Sequence, residues 1–355
     1  MNRKGVCYDI GSVMGFNWRP RFRPEEVRRE LQIIKDDLHC NAVRISGQDL
    51  GRLVMASGDA LERGLEVWFH PTLWDRNPED TLRYLVRAAE AAEEVRKQKG
   101  ENIVFVAGGE LTLFMQGILE GRRFQSRLAN PSLMSKIKAG EHNKPLNDFL
   151  AKANAALRSV YHGKATYASL VWEKVDWGLF DFVGVDHYRT KRIEDRYVQM
   201  LEPSFQHGKP VVVTEFGYAT THGGIGDGGL LLSSAGLEEG PIDLRSQFLH
   251  YKIPVLGRFV RPRLNGEHVR DEPWQARKLV ETLGVLDAAG VDGAFISQFL
   301  SQITPYDDRP RYDLDMASSS LVKYFEGGRR GTTYPDMSWE PKESFKVVAD
   351  YYASH

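Results

Sequence analysis

Residues 209–219 read KPVVVTEFGYA, and the fold follows from how this stretch is read. Val211, Val212 and Val213 make a β-branched apolar run too short for a helix, which predicts a buried strand. A strand apolar on both faces belongs to a parallel sheet covered by helices. Glu215 follows at once, then Phe216 and Gly217. Taken alone, that acid reads equally well as the first polar residue of a loop. Residues 102–111, NIVFVAGGEL, repeat the pattern: an apolar run, two glycines, then Glu110. Two buried strands that each end in a glutamate suit a hydrolase using one carboxyl as proton donor and the other as nucleophile.

Working outward from these two stretches, strands and helices alternate along the whole chain. Strands are expected at 4–10, 41–46, 65–70, 102–107, 165–171, 181–186, 209–214 and 291–297. Helices are expected near 24–40, 49–63, 78–99, 146–161, 194–206, 273–289 and 341–353, three of them opened by Pro24, Pro78 and Pro273. Eight strands in this alternation predict a single (β/α)8 barrel, with extended loops after the fourth, seventh and eighth strands. The segment 111–146 is basic in part (Arg122, Arg123, Lys136, Lys138) and reads as short helices over the barrel mouth. No linker or repeat argues for a second domain, so residues 1–355 are read as one catalytic domain.

Composition narrows the class. The chain has 355 residues, 42% hydrophobic and 27% charged, and 47 Lys plus Arg nearly balance 48 Asp plus Glu. A net charge of −1 gives no field that would favour nucleic acid or an anionic membrane. Cys7 and Cys40 sit in or beside apolar runs and read as small core residues, not a disulfide framework. The stretch MNRKGVCYDIG lacks a signal-peptide apolar region, so a cytoplasmic protein is expected. No His/Cys cluster has zinc-site spacing, and GGIGDGG at 223–229 lacks the Lys-Ser/Thr ending of a phosphate loop, so no cofactor or metal is expected. Asp307, Asp308, Asp313 and Asp315 fit no ion loop and read as a solvated acidic segment.

The polar residues fall in an informative place. Asp9, Arg44, His70, Glu110, Trp172, Asp186, His187, Tyr188, Glu215 and Gln298 lie at, or just after, the C-terminal end of an expected strand. In a barrel these ends converge on one face, where the active sites of such folds are built. Polar groups on strands with no solvated edge must pair with something, and pairing around a shared cleft meets that need. Trp74 and Trp172 add rings near the mouth on which sugar C–H faces pack. Trp18 and Tyr218 are further candidates for the mouth, while Trp18 and Trp177 read at least as well as loop aromatics over the core.

These residues resemble the glycoside hydrolases of clan A, (β/α)8 enzymes with catalytic glutamates after the fourth and seventh strands. TEFG at 214–217 is similar to their nucleophile motif, Arg44 in VRIS to the arginine of their second strand, and His70 in WFHP to the histidine after the third. His187 and Tyr188 resemble the polar and aromatic pair that touches the nucleophile there. More narrowly, ELTLFMQG (110–117) and KGVCYDIG (4–11) resemble bacterial proteins labelled abortive infection proteins. The clan resemblance implies a retaining glycosidase with Glu110 as acid/base and Glu215 as nucleophile, and the expected cytoplasmic setting implies a short, soluble saccharide or glycoside as substrate. One departure stands out: the clan commonly has Asn, a ligand of the sugar 2-hydroxyl, where this chain has Gly109. The eighth strand likewise has Gln298-Phe299 in place of the frequent Trp. Two other readings remain open, a non-catalytic sugar-binding barrel and a barrel lyase or isomerase using Glu215 and His187.

Overall fold

The computed structural model describes residues 1–13, 16–17, 19, 22–221, 242–243, 246, 250 and 260–355. Eight parallel strands close into a barrel. They are β1 (Arg3–Asp9), β2 (Ala42–Gly47), β3 (Glu66–Pro71), β4 (Ile103–Gly109), β5 (Lys164–Leu170), β6 (Val183–Asp186), β7 (Val211–Phe216) and β8 (Gly293–Ile296). Closure is direct: β1 pairs with β2 on one side, Cys7 opposite Arg44, and with β8 on the other, Val6 opposite Ile296. The barrel expected from the alternation of elements is therefore the one observed.

The helices form where the capping chemistry places them. Helix α1 (Pro24–Asp36) starts at its proline and buries Val27, Leu31 and Ile34 along one stripe. Helix α2 spans Leu50–Glu62 with Asp49 as its cap, accepting from Arg52 N. Helix α3 (Pro78–Lys99) has Asn77 accepting from Asp80 N, acids in its first turn and Arg96, Lys97 and Lys99 in its last, as the helix dipole favours. The segment after β4 carries short helices at Leu111–Phe114, Phe124–Leu128 and Leu133–Ala139, then α4 (Asn143–Arg158). The single helix expected at 194–206 is instead three short turns, Glu194–Arg196, Gln199–Leu201 and Glu202–Phe205. Among the described residues no helix is long and apolar enough to cross a membrane.

The described chain groups into two compact units. One comprises Met1–His187, Arg196–Phe216 and Leu286–Ile296 and contains every barrel strand. Its interior is filled by Cys7, Trp68, Val104, Phe182, Val212 and Phe295 among others, with Trp68 against Phe182 and Phe295 at 5.3 and 5.0 Å between ring centres. Gly5 on β1 is required by this packing, since a Cβ there would lie 2.4 Å from the Phe295 ring. Cys7 and Cys40 are buried and unbonded, as small core residues would be.

The other unit comprises Tyr188–Asp195, Gly217–Val285 and Ser297–His355. Within it lie most of helix Glu272–Ala288, a short hairpin of Val322–Tyr324 with Trp339–Pro341, and the closing helix Glu343–Ser354. The acidic segment reads differently in three dimensions. Asp313 and Asp315 are 3% and 1% exposed, not solvated. Arg270 donates to both, at 2.7 and 2.9 Å, and the buried Lys342 reaches Asp315 at 2.8 Å. Residues that lie 27 to 45 positions away supply the cations, so a local reading of the acids had no means of finding them. Most of the glycine-rich loop expected after the seventh strand, including 223–229, and Trp18 lie outside the described residues.

Candidate active site

Both glutamates stand beside an irregularity in the barrel. The β4–β5 register shifts between Val106 and Gly109, immediately before Glu110, and the β6–β7 register shifts so that Asp186 faces Glu215 and skips Thr214. Extra residues of this kind turn a side chain away from the position a regular strand would give it. At Glu110 the chain also leaves the strand through the left-handed region, φ 50° and ψ 37°. That conformation costs a non-glycine residue about 1–2 kcal/mol and persists only where its surroundings hold it. Glu110 occupies the cap position of Leu111–Phe114 without using its side chain to cap, which leaves the carboxyl for other work.

Arg44, projecting from β2, organises the opposite side. Its Nη1 donates to Glu215 Oε2 at 2.9 Å and to Thr214 O at 3.0 Å, and lies 3.7 Å from Asp186 Oδ1. Its Nη2 donates to His70 Nδ1 at 3.0 Å. A guanidinium can only donate, so His70 Nδ1 accepts and the ring proton sits on Nε2. Desolvation, with Arg44 beside it, holds the His70 pKa well below its ordinary value, so the ring is neutral. Ser46 Oγ completes the contact at 3.1 Å from the same nitrogen. Thr214 Oγ1 donates to Asp186 Oδ1 at 2.6 Å.

The electrostatics follow from several acids sharing one arginine. Desolvation raises the Glu110 carboxyl well above its ordinary range, and the charges of Asp186, Glu215 and Glu173 push it the same way against Arg44. Asp186 is raised to about 7, first by desolvation, with Arg44 opposing and Glu215 adding to it. Near neutral pH the cluster therefore holds protons, and Glu110 is a carboxyl that can donate one.

Glu173 and Tyr167 join this cluster although nothing in the sequence singled them out. Glu173 is 7% exposed, and its carboxylate accepts from Tyr167 Oη at 3.1 Å, Leu170 N at 2.9 Å and Thr112 N at 3.2 Å. Desolvation raises it to about 7. The available signal was an acid three residues beyond the end of β5, next to Trp172.

The other expected site residues have different partners. Asp9 accepts from the Gly11 N–H just beyond β1 and is raised to about 6 by desolvation. His187 is tied by its ring to Tyr197, donating from Nε2 to Tyr197 O at 2.9 Å and stacking at 4.1 Å; its backbone N–H, not the ring, reaches Glu215 O at 2.9 Å. Trp74 stacks on Phe114 at 3.7 Å and packs against Phe124. Trp172 meets His142 edge-on at 4.9 Å. Tyr188 and Gln298 belong to the second unit, where Gln298 O accepts from Leu321 N at 3.0 Å. The Gly109 position is sterically tight: a Cβ there would stand 3.1 Å from His70 Nε2 and 3.4 Å from Ala168 Cβ.

No family model and no curated relative matches this sequence. Among solved structures, a GH113 β-1,4-mannanase is similar over 99% of both chains at 15% identity, with a TM-score of 0.59. The GH113 β-mannanase AaManA from Alicyclobacillus acidocaldarius is similar over 99% of this chain and 97% of its own, at 13% identity and a TM-score of 0.57. A β-glucuronidase from Ruminococcus gnavus gives 14% identity and a TM-score of 0.56; this chain spans 50% of its length. At such identities the likeness is one of fold: the (β/α)8 barrel of these glycoside hydrolases.

Proposed function

We propose that this chain is a retaining glycoside hydrolase in which Glu110 is the acid/base and Glu215 the nucleophile. The observation that carries the reading is the Arg44–Glu215 pair at 2.9 Å, set in one cluster with a Glu110 carboxyl that desolvation and neighbouring charge keep protonated. Glu110 donates its proton to the glycosidic oxygen as the bond to the leaving group breaks, and the Glu215 carboxylate bonds to the anomeric carbon. The Glu110 carboxylate then takes a proton from water, whose oxygen displaces Glu215 and returns the sugar with its original configuration. Arg44 orients the Glu215 carboxylate through a charge-assisted hydrogen bond.

The substrate class in this reading is a soluble saccharide or glycoside. The mannanase neighbours suggest β-1,4-linked mannosides as the first compounds to try, and the glucuronidases suggest β-glucuronides as the contrast. The buried, unbonded cysteines accord with a cytoplasmic enzyme, and we treat the chain as one catalytic domain.

Mass spectrometry after incubation with activated 2-fluoro-glycosides of both classes tests the proposal. A covalent sugar on the peptide that contains Glu215, lost in Glu215→Gln, is the expected result. Sugar binding by calorimetry with neither turnover nor adduct across the panel would instead make the chain a binding protein.

A further inference from the structure

Glu110 is held in an unusual way. Its own N–H bonds to Ala168 O on β5 at 2.9 Å, but the turn that follows is held by side chains. The Leu111 N–H donates to Tyr167 Oη at 2.8 Å, and the Thr112 N–H donates to Glu173 Oε1 at 3.2 Å. Tyr167 Oη in turn donates to Glu173, which also accepts from Leu170 N. One buried carboxylate thus ties the end of β5 to the first turn after Glu110, with the Tyr167 hydroxyl between them. Among the described residues Glu173 makes no ion pair, although it is 7% exposed. A neutral acceptor would hold the same N–H groups with less desolvation, so the charge at this position calls for a reason beyond bracing.

We propose that Glu173, acting with Tyr167, is the positioning residue of Glu110: it braces the left-handed turn that presents the Glu110 carboxyl and sets the field in which that carboxyl releases its proton. This rests on the reading of Glu110 as acid/base. The groups facing Glu110 include Asp186 from β6, Glu215 from β7, Tyr167 from β5, Glu173 from beyond β5 and Arg44 from β2; those facing Glu173 include Tyr167, Glu110 and Asp186. Glu173 is raised to about 7, while Glu110 is raised well above its ordinary range. A charge on Glu173 opposes a second one on Glu110. Removing that charge lets Glu110 ionise at lower pH. Removing the Tyr167 hydroxyl acts in the same direction, because Glu173 without that donor keeps its proton longer.

The test follows Glu110 itself in the full-length protein. Infrared difference spectroscopy across a pH titration, with the Glu110 band assigned by its loss in Glu110→Gln, reports the midpoint whether or not a substrate is known. The basic limb of the kcat/KM profile on an aryl glycoside reports it through catalysis. In Glu173→Gln, midpoint and limb should fall together by about one pH unit, the effect of one close like charge, with KM within about twofold. Tyr167→Phe should shift both in the same direction by less, and carries the test if Glu173→Gln does not fold. Unmoved midpoints in the folded variants would reduce the pair to bracing and overturn the proposal. If no glycoside is turned over, the enzymatic reading fails, while the infrared midpoint still decides whether Glu173 governs Glu110.

Discussion

Arg44 and Glu215 stand 171 residues apart in sequence, and Arg44 Nη1 donates to Glu215 Oε2 at 2.9 Å. The arginine is buried and the carboxylate keeps 29% of its side chain exposed, so the pair has a dry end and an open end. The dry end is shared with Asp186, Thr214 and His70. This arrangement fixes one oxygen of Glu215 and leaves part of its side chain accessible.

Arg44→Met should therefore be costly in two ways. It strands Glu215 and Asp186 without their cation, a loss of about 3–5 kcal/mol for a broken buried pair. Arg44→Lys keeps the charge, but a single ammonium cannot reproduce the fork that meets Glu215, Thr214 and His70 together. Urea unfolding should rank wild type above Lys above Met, and turnover should fall at least about a hundredfold in both, on the scale of lost positioning. Wild-type stability in Arg44→Met would contradict the pairing.

Stability should fall as pH rises through neutrality. Asp186 and Glu173 are raised to about 7 and Glu110 well above its ordinary range, whereas the same carboxyls in an unfolded chain ionise near pH 4. Between those limits the folded chain binds more protons than the unfolded one, so stability decreases with increasing pH. Their contribution is fully present below about pH 4 and is lost as pH passes through 7 and beyond. Urea midpoints measured at pH 5.5 and 8.5 should show the drop, and Glu173→Gln should flatten it. Equal slopes in wild type and variant would show that Glu173 does not hold a proton in the native state.

Glu110→Gly should separate folding from catalysis. Glycine adopts the left-handed conformation found at Glu110 without penalty, and the substitution also removes a desolvated carboxyl. A rise in melting temperature is expected together with loss of turnover by roughly 10²–10⁴-fold, the usual contribution of a general acid. Differential scanning calorimetry and an aryl-glycoside assay check the two halves. A lower melting temperature would mean that the Glu110 side chain stabilises the site it strains.

Gly109→Asn would install the residue most clan A hydrolases carry at this position. A Cβ there meets His70 Nε2 at 3.1 Å, tighter than most real contacts, so the ring whose other nitrogen accepts from Arg44 must move. A cost of about 1–3 kcal/mol from overpacking is expected, with no gain in kcat/KM. Improved activity at undiminished stability would show that the ring yields easily.

The architecture was legible in the sequence because it depends on local pattern. Runs such as VFVAG and PVVVTEF report burial on both faces, and proline and acidic starts report helices, so eight strands and most helices could be placed before any contact was known. Strand ends also pointed to Arg44, His70, Asp186, Glu110 and Glu215, since barrel topology gathers such positions on one face. Pairing is a different kind of information. Which acid meets Arg44, why Glu173 and Tyr167 hold the turn after Glu110, and why Asp313 and Asp315 are buried against Arg270 and Lys342 depend on register, bulges and burial. Those are set only when residues distant in the chain close on one another, and the proton a carboxyl keeps is decided by that company. By itself the sequence determined the barrel and its candidate acids; tertiary contact alone decided which of them share a charge.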